Sequence, residues 1–569
     1  MLRSRAGTLA MLAAISLLAA AVRFWRLDQP PSWLDESVTA LIAAGRGPDA
    51  LPLGEVVPMQ RVADIFDSRV TATASDALAV FYDPRVQDLH PPTFHLLSNA
   101  VLRAGLLPHW PLVARVRALA ALFGVAAVIA MFLAMRQGFD RRTSLTAAAM
   151  AAVSPYAVML SREARNYSCA MLLVTCALGA MLALVRCIDE RRPTAAWWVA
   201  WSAASAVGLY IHYFTLFAFI AQAIVLALVV RRSESAAAFR SLGITVVVTA
   251  VAFLPWIPTL VAQQGSPEQR WLTFAIYGSS PLQVPYKIAS AWQTMLLGKA
   301  WDLGQPVYDI TRAVALVIYL CVVAAIAWAL VKSSSLSSDD RRARMLFAIA
   351  AVTILEYLGA MILQRKDFVS EVRYQYAYYV PFAAGVAWVF ARRLPMAAAV
   401  AILAAGLINT VMVDLDVESW KGTDPPPVIA RLEEASRPTL IVGGSGSFNE
   451  TVVYETILNE YLRHSPANDQ CVAIVKRTPL YASFDIHADP AVFWRAFSEL
   501  RPAVIPATVM VQSSGMQPEE YPLSLRVTSA NGEVVDCSGI GLDDRRFADT
   551  NTLIRPLYRR YVCDAAIGR

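Results

Sequence analysis

Apolar runs long enough to cross a membrane alternate with short charged turns along residues 1–413. A helix needs about 20 predominantly apolar residues to span the hydrocarbon core of a bilayer. The pattern therefore predicts about eleven transmembrane helices, near residues 8–25, 115–135, 143–160, 168–185, 194–211, 214–230, 241–260, 311–331, 345–363, 374–391 and 396–413. The first run has an alternative interpretation as a cleaved signal peptide, because the small residues 19–21 offer a peptidase site.

Basic residues in the turns set the predicted orientation. Arginine clusters at 136–142, 186–192, 231–240, 341–344 and 392–393 all fall on one side if residues 93–107 do not cross the membrane. That stretch is short and broken by His95, Asn99 and Arg103, so we expect an interfacial helix. The positive-inside rule then places these turns in the cytoplasm. Residues 26–114, the later turns on that side and everything after Asp414 are predicted to be extracytoplasmic.

Composition agrees with this picture and narrows the class. The chain of 569 residues is 57% hydrophobic and 17% charged, with a mean hydropathy of +0.46, which excludes an ordinary soluble enzyme. A net charge of +6 does not indicate a nucleic-acid partner, because the arginines lie in topological turns. The seven cysteines include no Cys-x-x-Cys pair, so no zinc or redox motif is predicted.

After Asp414 the pattern changes to that of a small extracytoplasmic α/β domain, residues 414–569, which follows a proline-rich linker at 424–427. Strands are predicted at 439–442, 471–475 and 504–511, and helices at 449–462 and 491–500. Glycines at 443–446 fit a tight turn better than a phosphate-binding loop, because the full fingerprint is absent. Two of Cys471, Cys537 and Cys563 are expected to pair, and the sequence does not say which two.

Two adjacent carboxylates, Asp35 and Glu36, follow the first apolar run and are the leading catalytic candidates. Ionisable residues at a membrane face are functional candidates by default. Since adjacent side chains diverge, we expect one to act and the other to orient it. The alternative is a solvated cap for a helix that starts at Ser37.

Arginines on the predicted outer face are not explained by the topology signal. Arg117, Arg162, Arg165 and Arg373 suggest an anion at the membrane boundary, and guanidinium groups bind phosphate bidentately. Snorkelling toward lipid headgroups is the alternative for any one of them. His90 precedes a double proline and fits a base, a phosphate contact or a helix start.

Several motifs occur in the order typical of one enzyme family. They are Trp-Leu-Asp-Glu-Ser at 33–37, His-Pro-Pro at 90–92, Ser-Arg-Glu-Ala-Arg-Asn-Tyr at 161–167, Gly-Leu-Tyr-Ile-His-Tyr-Phe at 208–214, Leu-Pro-Trp at 254–256 and Arg-Tyr at 373–374. Residues 20–395 thereby resemble bacterial glycosyltransferase family 39. This family belongs to the GT-C superfamily, with the protein O-mannosyltransferases and aminoarabinose transferases. The resemblance does not cover the carboxy-terminal domain.

The resemblance implies a GT-C fold in residues 1–413 and transfer of a sugar from a polyprenyl-phosphate donor to a lipid, glycan or protein acceptor, with inversion. It implies that Asp35 is the catalytic carboxylate, supported by Glu36. The contacts to the donor phosphate or sugar that it implies are His90, Arg117, Arg165 and Arg373, in a bacterial inner membrane. We expect Arg162, Tyr167, His212, Tyr213 and Tyr374, which lie on the same predicted face, to join them. No cofactor is expected; a divalent metal finds only the scattered set of Asp35, His90 and His212, which no ligand motif joins.

Two other functions remain open from the sequence. A sugar-lipid flippase would also be polytopic and bind phosphate, although its key charges should lie near mid-membrane between repeats, and no internal repeat is visible. A membrane-anchored sensor would act through its soluble tail. Turnover of a lipid-linked sugar distinguishes both from the transferase.

Overall fold

The structure is a computed structural model. It describes residues 5–86, 88–264, 305–332, 337–368, 372–415, 438–445, 448–462, 470–476, 490–513, 518–543 and 558–564, with a few positions between 292 and 303. The predicted linker at 424–427 and most of the loop 262–310 lie outside these residues. The predicted polytopic helical protein with a carboxy-terminal domain that contains a sheet is confirmed.

Helices make up most of the described residues of the amino-terminal part. They are α1 (Arg5–Phe24), α2 (Leu34–Ala43), α3 (Gln60–Ile65), α4 (Ala74–Phe81), α5 (Thr93–Arg103), α6 (Leu112–Gly138), α7 (Arg141–Val153), α8 (Pro155–Arg162), α9 (Tyr167–Asp189), α10 (Ala195–Leu209), α11 (Thr215–Arg232), α12 (Ala236–Phe253), α13 (Ile257–Gln264), α14 (Gln305–Lys332), α15 (Ser338–Gln364), α16 (Tyr376–Arg392) and α17 (Met396–Asp414).

Each of the eleven predicted runs is helical over most of its length. Among the described residues, 8 helices are long and apolar enough to cross a membrane, or up to 9 if the bent pair α7–α8 counts as one span. Helix α10 is apolar but shorter. The number of crossings therefore stays a prediction. The stretch 93–107 forms only the eleven-residue helix α5, which is about half the length that a crossing requires.

The span formed by α7 and α8 is bent by 54° where Pro155 follows Ser154. Proline cannot donate to the preceding turn, so the last carbonyl groups of α7 need other donors. Arg23 of α1 supplies them: its Nη1 and Nη2 donate to the carbonyl oxygens of Ala152 and Ala151 at 2.9 and 3.0 Å. A buried arginine in the first span thus stabilises the break.

Turns predicted to share the cytoplasmic side do contact one another. Arg342 donates to the carbonyl oxygen of Gly138 at 3.0 Å, and Arg393 and Arg392 pair with Asp340 and Asp339 at 2.9 and 3.0 Å. The arginine-rich ends of several helices therefore lie on one face, and the loop 26–111 joins helix ends on the other.

The carboxy-terminal domain is built on a seven-stranded sheet of order β1-β3-β2-β4-β7-β6-β5. Its strands are β1 (Val56–Pro58), β2 (Thr439–Ser445), β3 (Gln470–Lys476), β4 (Thr508–Ser513), β5 (Ser524–Thr528), β6 (Val534–Asp543) and β7 (Tyr558–Cys563), and its helices are α18 (Phe448–Leu462) and α19 (Pro490–Ser498). The central strands β3, β2 and β4 are parallel, as expected for strands joined through helices. The predicted tail elements all occur.

One strand of this sheet comes from the amino-terminal part. β1 pairs antiparallel with β3, so that Val56 opposes Ala473 and Pro58 opposes Cys471. Cys537 and Cys563 form the disulfide between neighbouring strands, and Cys471 is free. The predicted boundary between residues 1–413 and 414–569 is thus crossed by main-chain hydrogen bonds.

Close packing at Gly124 of α6 gives a test of the helix arrangement. A Cβ atom there would collide with the side chain of Ser161 and lie 2.8 Å from Nε of Arg23, whereas a Cβ at Gly243 meets nothing within 4 Å. We expect Gly124→Ala to lower the unfolding temperature in detergent, since overpacking costs about 1–3 kcal/mol. Gly243→Ala is the control and should not lower it; equal effects would contradict this packing.

Candidate active site

The two candidate carboxylates lie in the first turn of α2 but in different environments. Helix α2 begins at Leu34 with Trp33 as its N-cap, so the alternative interpretation of these carboxylates as a cap for a helix starting at Ser37 is wrong. The side chain of Glu36 is fully buried, while 27% of the Asp35 side chain is exposed. The expected divergence of adjacent side chains is therefore present.

Glu36 is the centre of a buried ion pair. Nε and Nη2 of Arg117 donate to its two carboxylate oxygens at 2.7 Å each, and the backbone amide of Ala164 donates to Oε1 at 2.9 Å. Arg117 also donates to the carbonyl oxygens of Pro30 and Pro31 at 2.8 and 3.0 Å. These partners occupy both side chains and join the first loop to α6 and to the turn before α9.

Asp35 faces a different arginine. Its Oδ2 lies 3.1 Å from Nη1 of Arg373, in the segment Val372–Gln375 just before α16. The guanidinium of Arg373 is also stacked, with Cζ 4.9 Å from the ring centroid of Trp33 and 5.5 Å from that of Tyr374. Aromatic faces attract a guanidinium and restrict its rotamers. Trp33 is thus a site residue. It belongs to the motif at 33–37, but the sequence predicted no role for it.

Arg165 approaches the same carboxylate residue from the loop between α8 and α9. Its Nη1 donates to the backbone oxygen of Asp35 at 3.2 Å and to Oγ1 of Thr39 at 2.8 Å. Burial is the largest single effect and would lower the pKa of Arg165, but Asp35, Tyr167 and Asp88 together outweigh it and raise the pKa above its ordinary value. This guanidinium is a permanent positive charge in the site.

His90 connects Arg165 to a second carboxylate, Asp88. Its Nδ1 lies 3.0 Å from Oδ1 of Asp88, and Nη2 of Arg165 lies 3.1 Å from its Nδ1 and 3.4 Å from its Nε2. Burial and the charge of Arg165 lower the pKa of His90. In a neutral ring whose Nδ1–H donates to Asp88, Nδ1 cannot also accept from Arg165, so only Nε2 at 3.4 Å can accept from that guanidinium.

Asp88 is held between two histidines. Its Oδ2 lies 3.2 Å from Nε2 of His95, and its side chain is 3% exposed. Burial by itself would raise the pKa of Asp88, but His95 and His90 lower it well below its ordinary value. The sequence predicts no role for His95 beyond a break in an apolar run. Its position four residues after Pro91, close to the predicted site residue His90, was the signal that could have identified it as a site residue.

Two aromatic side chains complete the site with donors that have no partner in the described part of the chain. Nδ1 of His212 accepts from the amide of Phe214 at 3.1 Å, which leaves Nε2–H as a buried donor. The hydroxyl of Tyr167 is likewise buried and without a hydrogen bond among the described residues. Their ring centroids are 5.4 Å apart, and that of His90 lies 5.2 Å from that of His212.

Two predicted contacts lie farther out. Tyr213 accepts from Nε1 of Trp256 at 2.7 Å and donates to Gln263 at 2.5 Å, and Gln263 donates to the backbone oxygen of Asp88. Arg162 pairs with Asp414 at 3.0 Å and donates to the carbonyl oxygen of Trp25. We assign both to supporting the site. Within the described residues, no group of three His, Cys, Asp or Glu side chains is arranged to hold a metal ion.

These features define a helical membrane protein whose charged site lies where several spans and a large loop meet. Residues 96–258 match the family model described as dolichyl-phosphate-mannose-protein mannosyltransferase. This match confirms the resemblance to GT-C glycosyltransferases of the protein O-mannosyltransferase type. No curated protein sequence matches the chain.

Solved structures show similarity at low identity. The Saccharomyces cerevisiae protein O-mannosyltransferase Pmt1-Pmt2 complex bound to the sugar donor is 15% identical, with 46% of this chain and 36% of that chain covered and a TM-score of 0.31. ArnT from Cupriavidus metallidurans bound to undecaprenyl phosphate is 13% identical, with 98% of each chain covered and a TM-score of 0.35. The Archaeoglobus fulgidus oligosaccharyltransferase in complex with Zn and sulfate is 13% identical, with 89% and 68% covered and a TM-score of 0.47.

Because the two carboxylates differ in burial, we expect replacement of Glu36 by glutamine and of Asp35 by asparagine to have very different effects on the unfolding temperature. Glu36→Gln leaves Arg117 buried without its counter-charge, and breaking a buried pair costs about 3–5 kcal/mol. We expect a large fall in the unfolding temperature measured in detergent. Asp35→Asn breaks a more exposed pair worth about 0–1 kcal/mol and should change it little.

The exposed pair of Arg526 and Asp536 in the carboxy-terminal domain supplies the control. Asp536→Asn should leave the unfolding temperature unchanged. If Glu36→Gln is as stable as this control, Glu36 does not hold the loop.

Proposed function

We propose that this protein is an integral-membrane glycosyltransferase that moves a hexose or pentose from a polyprenyl-phosphate donor to an extracytoplasmic acceptor. The acceptor is a lipid, a glycan or a protein at the outer face of a bacterial inner membrane. Support comes from the family match over residues 96–258 and from the chemistry of the site.

One observation carries the proposal. Around Asp35 the site gathers four buried donors that have no hydrogen-bond partner among the described residues: Nε1 of Trp33, Nε of Arg165, the hydroxyl of Tyr167 and Nε2 of His212. Buried polar groups are nearly always paired, so these donors are available to a bound ligand or to water. A ligand that offers many oxygen acceptors, such as a sugar phosphate, suits donors of this kind.

The charges fit the same ligand. Arg165 and Arg373 flank Asp35, and both keep a positive charge at neutral pH. When the bond between the anomeric carbon and the phosphate oxygen breaks, the bonding electrons leave with the polyprenyl phosphate. Guanidinium groups fixed beforehand stabilise that charge without reorganisation at the moment of reaction.

Asp35 is placed to activate a hydroxyl acceptor. The acceptor oxygen attacks the anomeric carbon as the phosphate leaves, and its proton passes to the carboxylate of Asp35. A single in-line displacement of this kind inverts the anomeric configuration. If the acceptor is a phosphate, no proton is transferred and Asp35 orients the acceptor. Arg373 lies 3.1 Å from this carboxylate and aligns it in either case.

The test is donor turnover by purified full-length protein. Short polyprenyl-phosphate hexoses and pentoses are supplied together with an extract of bacterial envelope lipids, glycans and proteins as the source of acceptor, and release of polyprenyl phosphate is measured. We expect turnover by the wild type and a roughly 10²- to 10⁴-fold loss in Asp35→Asn, because a general base contributes about that much. Asp49→Asn is the matched control, since Asp49 is a highly exposed carboxylate of the same loop.

Equal turnover by Asp35→Asn and Asp49→Asn would remove Asp35 from catalysis. If the wild type moves lipid-linked sugars across vesicle membranes without releasing polyprenyl phosphate, the protein is a transporter and the proposal fails.

A further inference from the structure

One of the contacts between the carboxy-terminal domain and the loop that carries Asp35 is made by a buried side chain. Oε1 of Glu460, on α18, accepts a hydrogen bond from the backbone amide of Ser32 at 3.0 Å. Glu460 is 2% exposed and Ser32 is 6% exposed, so this bond is shielded from water. Helix α18 also packs directly against α2 and α3.

The contact of Glu460 lies next to the contacts that Arg117 makes with the same segment. Arg117 binds the carbonyl oxygens of Pro30 and Pro31 and the carboxylate of Glu36, all from the membrane helix α6. Glu460 binds the amide of the next residue, Ser32, from the carboxy-terminal domain. The segment immediately before Asp35 is therefore held by a cation on its carbonyl groups and by a carboxylate on its amide.

A second attachment lies on the other side of α2. β1, thirteen residues after the end of this helix, is the edge strand of the domain's sheet and pairs with β3. The domain thus holds the chain before α2 through Glu460 and after α2 through β1. The contact through Glu460 is the nearer of the two to the first turn of α2, where Asp35 lies, and the packing of α18 against α2 acts on the same helix.

We propose that Glu460 is a positioning residue for Asp35, so that the carboxy-terminal domain is a working part of the active site. This inference rests on the proposed function for its effect on turnover, but not for the contact itself. Glu460 does not touch the substrate; it fixes the backbone three residues before the carboxylate. Small misplacement of a catalytic group lowers kcat strongly.

The experiment compares Glu460→Ala, which removes the acceptor, with Glu460→Gln, which keeps an oxygen at the same place. Glu455→Ala is the matched control, because Glu455 is an equally buried glutamate of the same helix. In the full-length protein, we measure hydrogen exchange at the amide of Ser32 together with kcat and KM for the donor.

We expect Glu460→Ala to speed exchange at Ser32 and to lower kcat roughly tenfold, with KM changed less than twofold, since the lost contact is a single buried hydrogen bond. Glu460→Gln should restore both values, and Glu455→Ala should change neither. Unchanged exchange in Glu460→Ala overturns the inference, as does an equal loss of kcat in Glu455→Ala. If the wild type turns over no donor, the proposed function fails while the exchange measurement still decides the contact.

Discussion

The buried pair of Glu36 and Arg117 is the interaction on which the site depends. It joins three parts of the chain, because Arg117 belongs to α6, Glu36 to the first loop, and Ala164, which also donates to Glu36, to the turn before α9. Two charges taken out of water are stable only if every lone pair and N–H finds a partner. The pair therefore fixes one arrangement of these segments, and that arrangement brings Arg165 beside Asp35.

The helical parts were predictable because their cause is local. Membrane thickness imposes a minimum length on each apolar run, and all eleven runs are helical. The tail elements followed from strand and helix periods for the same reason. β1 was not predictable, since three residues carry no periodicity and the strand exists only through β3, more than 400 residues later. The bend at Pro155 could have been predicted from the proline itself, but this proline lies inside a continuous apolar run that was predicted as one helix.

The site was predictable as a set of residue types, and less so as a set of roles. The motifs contained Asp35, Arg165 and Arg373, and the structure brings these three together. The sequence does not show which arginine forms an ion pair with which carboxylate. Asp35 pairs with Arg373, which is 338 positions away in the sequence, whereas Glu36 pairs with Arg117. Such choices depend on long-range packing, so Trp33 as a stacking partner and Glu460 as an acceptor were also missed.

The bent span explains how the turn that carries Arg165 reaches the first loop. A straight helix from 141 to 162 would leave its polar end in line with its own axis, whereas the 54° bend redirects α8. Arg23 bonds the open carbonyl groups at the bend and also donates to Oγ of Ser161, one residue before the end of α8. A charged residue buried among apolar helices thus has a structural reason here: it stabilises a helix break that delivers Ala164 to Glu36 and Arg165 to Asp35.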